Sequence, residues 1–198
     1  MPIVRNWTFT TRSPKNRRGG KVNQLKPINI AVVLGSKSDL EVVKNSKLPE
    51  ILDEVSQAYD ISIISAHRNP YELSEYCQES FNSGAQVFIG VAGMAAALPG
   101  AIAANLNRST TRRPVIGVPL ASGEFPDAQD ALLSMVRMPP GMPVAVCGIG
   151  KSGLQNAALL ACQIVAITRV DVYTRLDGYM ERNMKPPELD IRLFEGGK

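Results

Sequence analysis

"INIAVVLG" occupies residues 28–35. The run is short, rich in β-branched residues, and ends in glycine without alternating polar and apolar positions. Such a segment reads as a strand covered on both faces, as in a parallel sheet between helices. Four later runs read the same way: "ISIIS" (61–65), "AQVFIGVAG" (85–93), "PVIGVPL" (114–120) and "PVAVCGIG" (143–150). Helical patterns separate them. "DLEVVKNSKLPEILDEVSQA" (39–58) repeats apolar residues at Leu40, Val43, Leu48, Ile51, Leu52 and Val55, and Pro49 breaks or restarts that helix. "PYELSEYCQESF" (70–81) opens with a proline suited to a first helical turn. "DAQDALLSMVR", "GLQNAALLACQIVAI" and the amphipathic "VDVYTRLDGYMERNM" follow. The alternation predicts an α/β, three-layer sandwich around a doubly wound, parallel, five-stranded sheet.

The remaining composition agrees with one such domain. The chain has 198 residues, 44% hydrophobic and 20% charged. It has no apolar run of the ~20 residues a membrane span requires. Its three cysteines, Cys77, Cys147 and Cys162, are scattered and lack CxxC spacing. With a single histidine in the chain, they read as reduced thiols rather than zinc ligands. The net charge of +4 is unevenly spread: residues 1–27 hold seven basic and no acidic residues, leaving 15 basic against 18 acidic elsewhere. The body is therefore mildly acidic, which argues against a nucleic-acid partner, and residues 1–27 read as a solvated basic arm. Residues 28–185 are expected to form a single α/β domain, and 186–198 a tail.

Open parallel sheets bind ligands beyond the carboxyl ends of their strands, so the segments after each strand carry the candidate chemistry. The first is "GSKSD" (35–39), where Gly35 permits a tight turn, Ser36 and Ser38 offer hydroxyls, and Asp39 offers a carboxylate. A helix start there also suits an anion. The same residues serve equally as a helix cap, and the motif matches neither a Walker loop nor GxGxxG. The second is "SAHRNP" (65–70), with Ser65, the only imidazole of the chain at His67, and a guanidinium at Arg68. The third is "GVAGMAAALPG" (90–100), a stretch with nothing titratable, which allows either close ligand approach or close helix–sheet contact.

These segments, together with "RPVIGVPL" (113–120), "LLSMVRMPPGMPVA" (132–145) and "GLQNAALLACQI" (153–164), resemble the ordered motifs of the phosphoribosylaminoimidazole carboxylase family, catalytic-subunit type. The likeness spans about residues 28–185. It implies a flavodoxin-like fold, a homo-octamer in the cytoplasm, and no metal or organic cofactor. The implied activity is the mutase reaction of purine biosynthesis, acting on 5-(carboxyamino)imidazole ribonucleotide. Carried over by position, Ser36, Asp39 and Arg68 would bind substrate, and Ser38 and Ser65 would assist at its phosphate. His67 would be the general acid–base. Gly93, Met94, Ala95, Ala96, Ala97 and Leu98 would hold the carboxylate or transient carbon dioxide.

One position departs from the family. Where relatives more usually read "AAHLPG" this chain reads "AAALPG", so Ala97 replaces an imidazole near the carbon dioxide position. Three other functions fit parts of the pattern. They are direct carboxylation of aminoimidazole ribonucleotide, carboxylation of a nicotinate-type nucleotide, and a non-catalytic phosphate-binding homologue. "SAHRNP" and "AAxLPG" favour the mutase over the first, and "MPPGMPVA" with "NAALLA" favours it over the second. Keeping Ser36, Asp39, His67 and Arg68 together speaks against the third.

Overall fold

A computed structural model describes residues 27–107, 112–123 and 126–184. The basic arm (apart from Pro27) and the 186–198 tail lie outside the described residues. The chain runs β1 (Ile30–Leu34), α1 (Lys37–Lys44), α2 (Leu48–Ile51), β2 (Tyr59–Ile63), α3 (Pro70–Asn82), β3 (Val87–Gly93), α4 (Leu98–Leu106), β4 (Val115–Leu120), α5 (Gln129–Val136), β5 (Ala145–Val146), α6 (Gly150–Ala166) and α7 (Val170–Asn183). The five strands form one parallel sheet in the order β2-β1-β3-β4-β5. Helices cover both faces, as the sequence pattern predicts, and the strand order is that of flavodoxin-like folds.

The central strands owe their apolar runs to this double cover. Ile30, Val32 and Leu34 of β1 point into one core, with Val87, Ile89 and Val91 of β3 and Ile116, Val118 and Leu120 of β4. That core is closed by α1, α2, α6 and α7. Ala31 and Val33 point the other way, joining Phe88 and Val115 beneath α3, α4 and α5. Nearly every residue of β1, β3 and β4 is buried.

Several expectations need correction. The segment 143–150 is not a strand buried on both faces; only Ala145–Val146 pairs, at the sheet edge, with Ala145 exposed. An edge strand has a neighbour on one side only, so nothing holds its ends in register. The second strand covers Tyr59–Ile63 rather than 61–65, and Ser65 belongs to the turn after it. Pro49 does restart the helix, at the second position of α2, which then widens into a π-helical turn over Leu52–Ser56. Finally, residues 154–167 and 170–184 place most of their aliphatic side chains in the chain's own core. α6 buries Leu154, Ala157, Ala158, Ala161, Cys162 and Val165, and α7 folds back with Val172, Leu176 and Tyr179 into the same core.

Long-range polar contacts fasten α7. Arg175 Nε donates to the Val55 carbonyl at 2.7 Å, satisfying an acceptor of the π-helical turn, and Arg182 meets Glu54 at 3.0 Å. At the start of α7, Asp171 pairs with Arg169, which precedes the helix, and with Arg175 one turn further on.

Candidate functional site

β1 lies between β2 and β3, so the three turns that follow these strands leave from one edge of the sheet. The pairing continues past the strand ends, with Ile64 N–H donating to Leu34 O and Gly35 N–H to Val91 O, each at 2.9 Å. α1 departs over one face and α4 over the other, which makes the gap between β1 and β3 the topological switch point. Ser36–Asp39, Ser65–Arg68 and Gly93–Ala97 all lie at this carboxyl edge.

Ser36 is the N-cap of α1 in an extended conformation (φ −151°, ψ 167°). Its N–H donates to Asp39 Oδ2 at 2.8 Å, and its hydroxyl lies 2.6 Å from that of Ser38. Asp39 therefore caps the helix and is only 8% exposed. Burial raises its carboxyl above the ordinary value, and the Ser36 N–H, the Ser36 hydroxyl and the Gly35 N–H pull it partly back. Gly35 is not required by strain. A methyl there would meet Ala92 Cβ at 3.4 Å and Asp39 Oδ2 at 3.5 Å, ordinary contacts, and its φ is not left-handed. Lys37, the exposed first residue of α1, adds a cation that the sequence reading did not single out.

His67 and Arg68 sit exposed in the turn Ala66–Arg68, just before α3. Ser65 builds this turn. Its carbonyl accepts Asn69 N–H at 2.8 Å, and its hydroxyl accepts Arg68 N–H at 3.3 Å. Neither the imidazole nor the guanidinium is hydrogen-bonded or ion-paired to another described residue, which leaves both available to a ligand.

The third segment divides in a way its small residues do not announce. Met94, Ala95 and Ala97 are exposed, whereas Ala96 and Leu98, each 2% exposed, belong to the core under α4. The side chains of Ala96 and Leu98 thus hold the loop down, and only their backbone could meet a ligand. Gly93 is needed for close strand packing, since a Cβ there would lie 3.0 Å from the Leu120 carbonyl of β4. Met94 takes the left-handed conformation at φ 55°, unusual for a residue with a side chain, and strain of this kind concentrates at functional loops. Ala97 N–H turns back onto Ala95 O at 2.7 Å, and Ala97 forms the N-cap of α4.

The anchor of this loop escaped the sequence reading. Pro99, at the second position of α4, packs into a trough made by Gly90 and Gly117. Interior strand glycines followed by a helix-opening proline were the available signal. Among the described residues, no cluster of three or more His, Cys, Asp or Glu is arranged to hold a metal ion, and no helix is long and apolar enough to cross a membrane.

Comparison with known proteins bears on the family and the fold. The sequence model of the AIR carboxylase family matches residues 29–185. The N5-carboxyaminoimidazole ribonucleotide mutase of Haemophilus influenzae is 42% identical over 156 residues, 79% of this chain and 90% of the relative. That of Bacillus subtilis is 43% identical over 148 residues, 75% of this chain and 86% of the relative. The crystal structure of Treponema denticola PurE superposes with a TM-score of 0.64 at 26% identity, covering 78% of this chain and 90% of that one.

Proposed function

The chain belongs to the AIR carboxylase family, and on that premise we propose that it is an enzyme, an N5-carboxyaminoimidazole ribonucleotide mutase, working at the β1/β3 switch point. The observation that carries the reading is the His67–Arg68 pair, without a partner among the described residues, at the edge where Ser36, Asp39 and the Gly93–Ala97 loop converge.

The named reaction moves a carboxyl group from an exocyclic nitrogen to a ring carbon of one ribonucleotide. The nitrogen–carbon bond breaks, releasing carbon dioxide, and the nitrogen takes up a proton. The electron-rich ring carbon then attacks the carbon dioxide and loses its own proton as aromaticity returns. Protons balance within the cycle, so a single imidazole can give the first and take the second. Histidine is the side chain whose ordinary range spans neutral pH. His67 is assigned this role. Arg68 takes the phosphate, with the Ser36, Ser38 and Ser65 hydroxyls as further donors, and Asp39 accepts from the nucleotide. Carbon dioxide must stay within reach of the ring between the two steps. The exposed backbone of Gly93–Ala97 is assigned to retain it, so proximity does much of the catalytic work. None of these steps calls for a metal or an organic cofactor.

The role so proposed is a step of purine biosynthesis, carried out in the cytoplasm by a homo-octamer. Ile167, Val170 and Tyr173, all more than half exposed around the α6–α7 turn, are apolar surface that another copy would cover. Sedimentation should show an assembly at micromolar concentration, and a stable monomer would refute it. For the activity, ultraviolet absorbance should report turnover of the carbamate nucleotide without added bicarbonate. Turnover only of aminoimidazole ribonucleotide with high bicarbonate would favour direct carboxylation instead.

A further inference from the structure

A cavity of about 370 Å³ opens at the opposite, amino edge of the sheet, lined by Ala103, Leu106, Asn107, Arg112, Arg113 and the Gly141–Pro143 turn. We propose that it binds a small ligand bearing an oxyanion on an apolar body, at a site separate from the switch point and independent of the function proposed above.

The basis is a pair of guanidiniums fixed in place without a counter-ion among the described residues. Arg113 lies over the Phe81 ring at 4.6 Å, and it donates to the Ala85 carbonyl (Nε, 3.2 Å) and the Arg112 carbonyl (Nη1, 2.8 Å). Arg112 Nε donates to Asn107 Oδ1 at 3.2 Å, and Asn107 Nδ2 in turn meets Met142 Sδ at 3.3 Å. Both side chains are thus oriented in advance, and neither forms an ion pair with a described carboxylate. The segments that supply the lining, residues 80–123 and 131–170, themselves contain no Asp or Glu. Arginine forks held this way suit carboxylate and phosphate oxygens. Ala103, Leu106, Met142 and Pro143 supply apolar wall, and the volume falls in the range of small-molecule sites.

Phenyl phosphate is a direct probe, since it joins an oxyanion to an apolar ring; inorganic phosphate is its head group alone. Calorimetric titration of the whole protein should show phenyl phosphate binding that survives in Arg68→Ala and weakens about 10–100-fold in Arg112→Gln, the loss expected for a charge-assisted partner. Inorganic phosphate should bind the same site more weakly. Arg112 is exposed and remote from the switch point, so Arg112→Gln should retain its fold and its basal turnover. Met142→Ala offers a second variant that weakens phenyl phosphate but leaves inorganic phosphate unchanged. Binding indifferent to Arg112→Gln, binding abolished by Arg68→Ala, or no binding at all would overturn the proposal.

Discussion

Gly90 of β3 and Gly117 of β4 stand opposite each other in the parallel ladder, and Pro99 sits over both. A methyl group on Gly90 would lie 3.1 Å from Pro99 Cγ and 3.2 Å from Pro99 Cα; one on Gly117 would lie 3.3 Å from Pro99 Cγ. The paired glycines let the first turn of α4 settle onto the sheet. That seat sets where the Gly93–Ala97 loop runs at the switch point.

Gly90→Ala should therefore lower stability by about 1–3 kcal/mol, the usual cost of overpacking, and reduce turnover as α4 shifts. Gly35→Ala, whose methyl meets its neighbours at 3.4–3.6 Å, should leave stability nearly unchanged. Chemical denaturation of the two variants side by side tests the point. Equal stability for both would mean that the trough does not seat the helix.

Asp39 should cost the fold stability in exchange for its place in the site. Its carboxyl is raised by burial, and a group raised on folding destabilises the native state once ionised. The cost is absent below the unfolded value of 3.8 and grows as pH rises through the folded one. Asp39→Asn keeps an acceptor for the Ser36 N–H and removes the charge. It should melt higher than the parent at pH 7, melt equally near pH 3, and turn over more slowly. A lower melting temperature at pH 7 would show that the charge is stabilising.

The thiols report on the packing. Burial pushes Cys77 and Cys162 up to about 12 and raises Cys147, which is only partly covered. A disulfide reagent at pH 8 should modify Cys147 in the native protein, slowly, and reach the other two only on unfolding. Fast reaction of Cys162 would mean that α7 does not cover α6 as described.

What the sequence revealed follows what local pattern can encode. β1, β3 and β4 were readable because each is covered on both faces, which writes an apolar residue at almost every position. β5 carries an equally apolar run, yet its length depends on having one neighbour instead of two, and that is not written in the run. Pro49 announced the break before α2. By contrast, the bond from Arg175 to the Val55 carbonyl joins residues 120 apart and has no local signature. At the site, the rule that ligands gather at strand ends brought Ser36, Asp39, His67 and Arg68 to one edge. It could not tell exposed Ala95 and Ala97 from buried Ala96, because a run of small residues has no periodicity to read. Nor could it foresee Met94 in a left-handed conformation, which methionine seldom adopts.

Arg68 and His67 should separate binding from chemistry. Arg68→Ala removes a guanidinium without other described partners, so it should weaken nucleotide binding by about 1.5–3 kcal/mol with little effect on stability. Calorimetric titration with the nucleotide product tests this, and unaltered affinity would place the phosphate elsewhere.

The most direct test is the single-turnover rate of His67→Asn on the carbamate nucleotide, measured with its affinity and melting temperature. Asparagine keeps size and hydrogen-bonding reach but does not titrate. Because His67 is exposed in a turn and holds no described partner, melting temperature and affinity should stay near those of the parent. The chemical step should fall by about 10²–10⁴-fold, the worth of a positioned acid–base group. A variant that turns over at the parental rate would contradict the account, and the proton carrier would have to be another group.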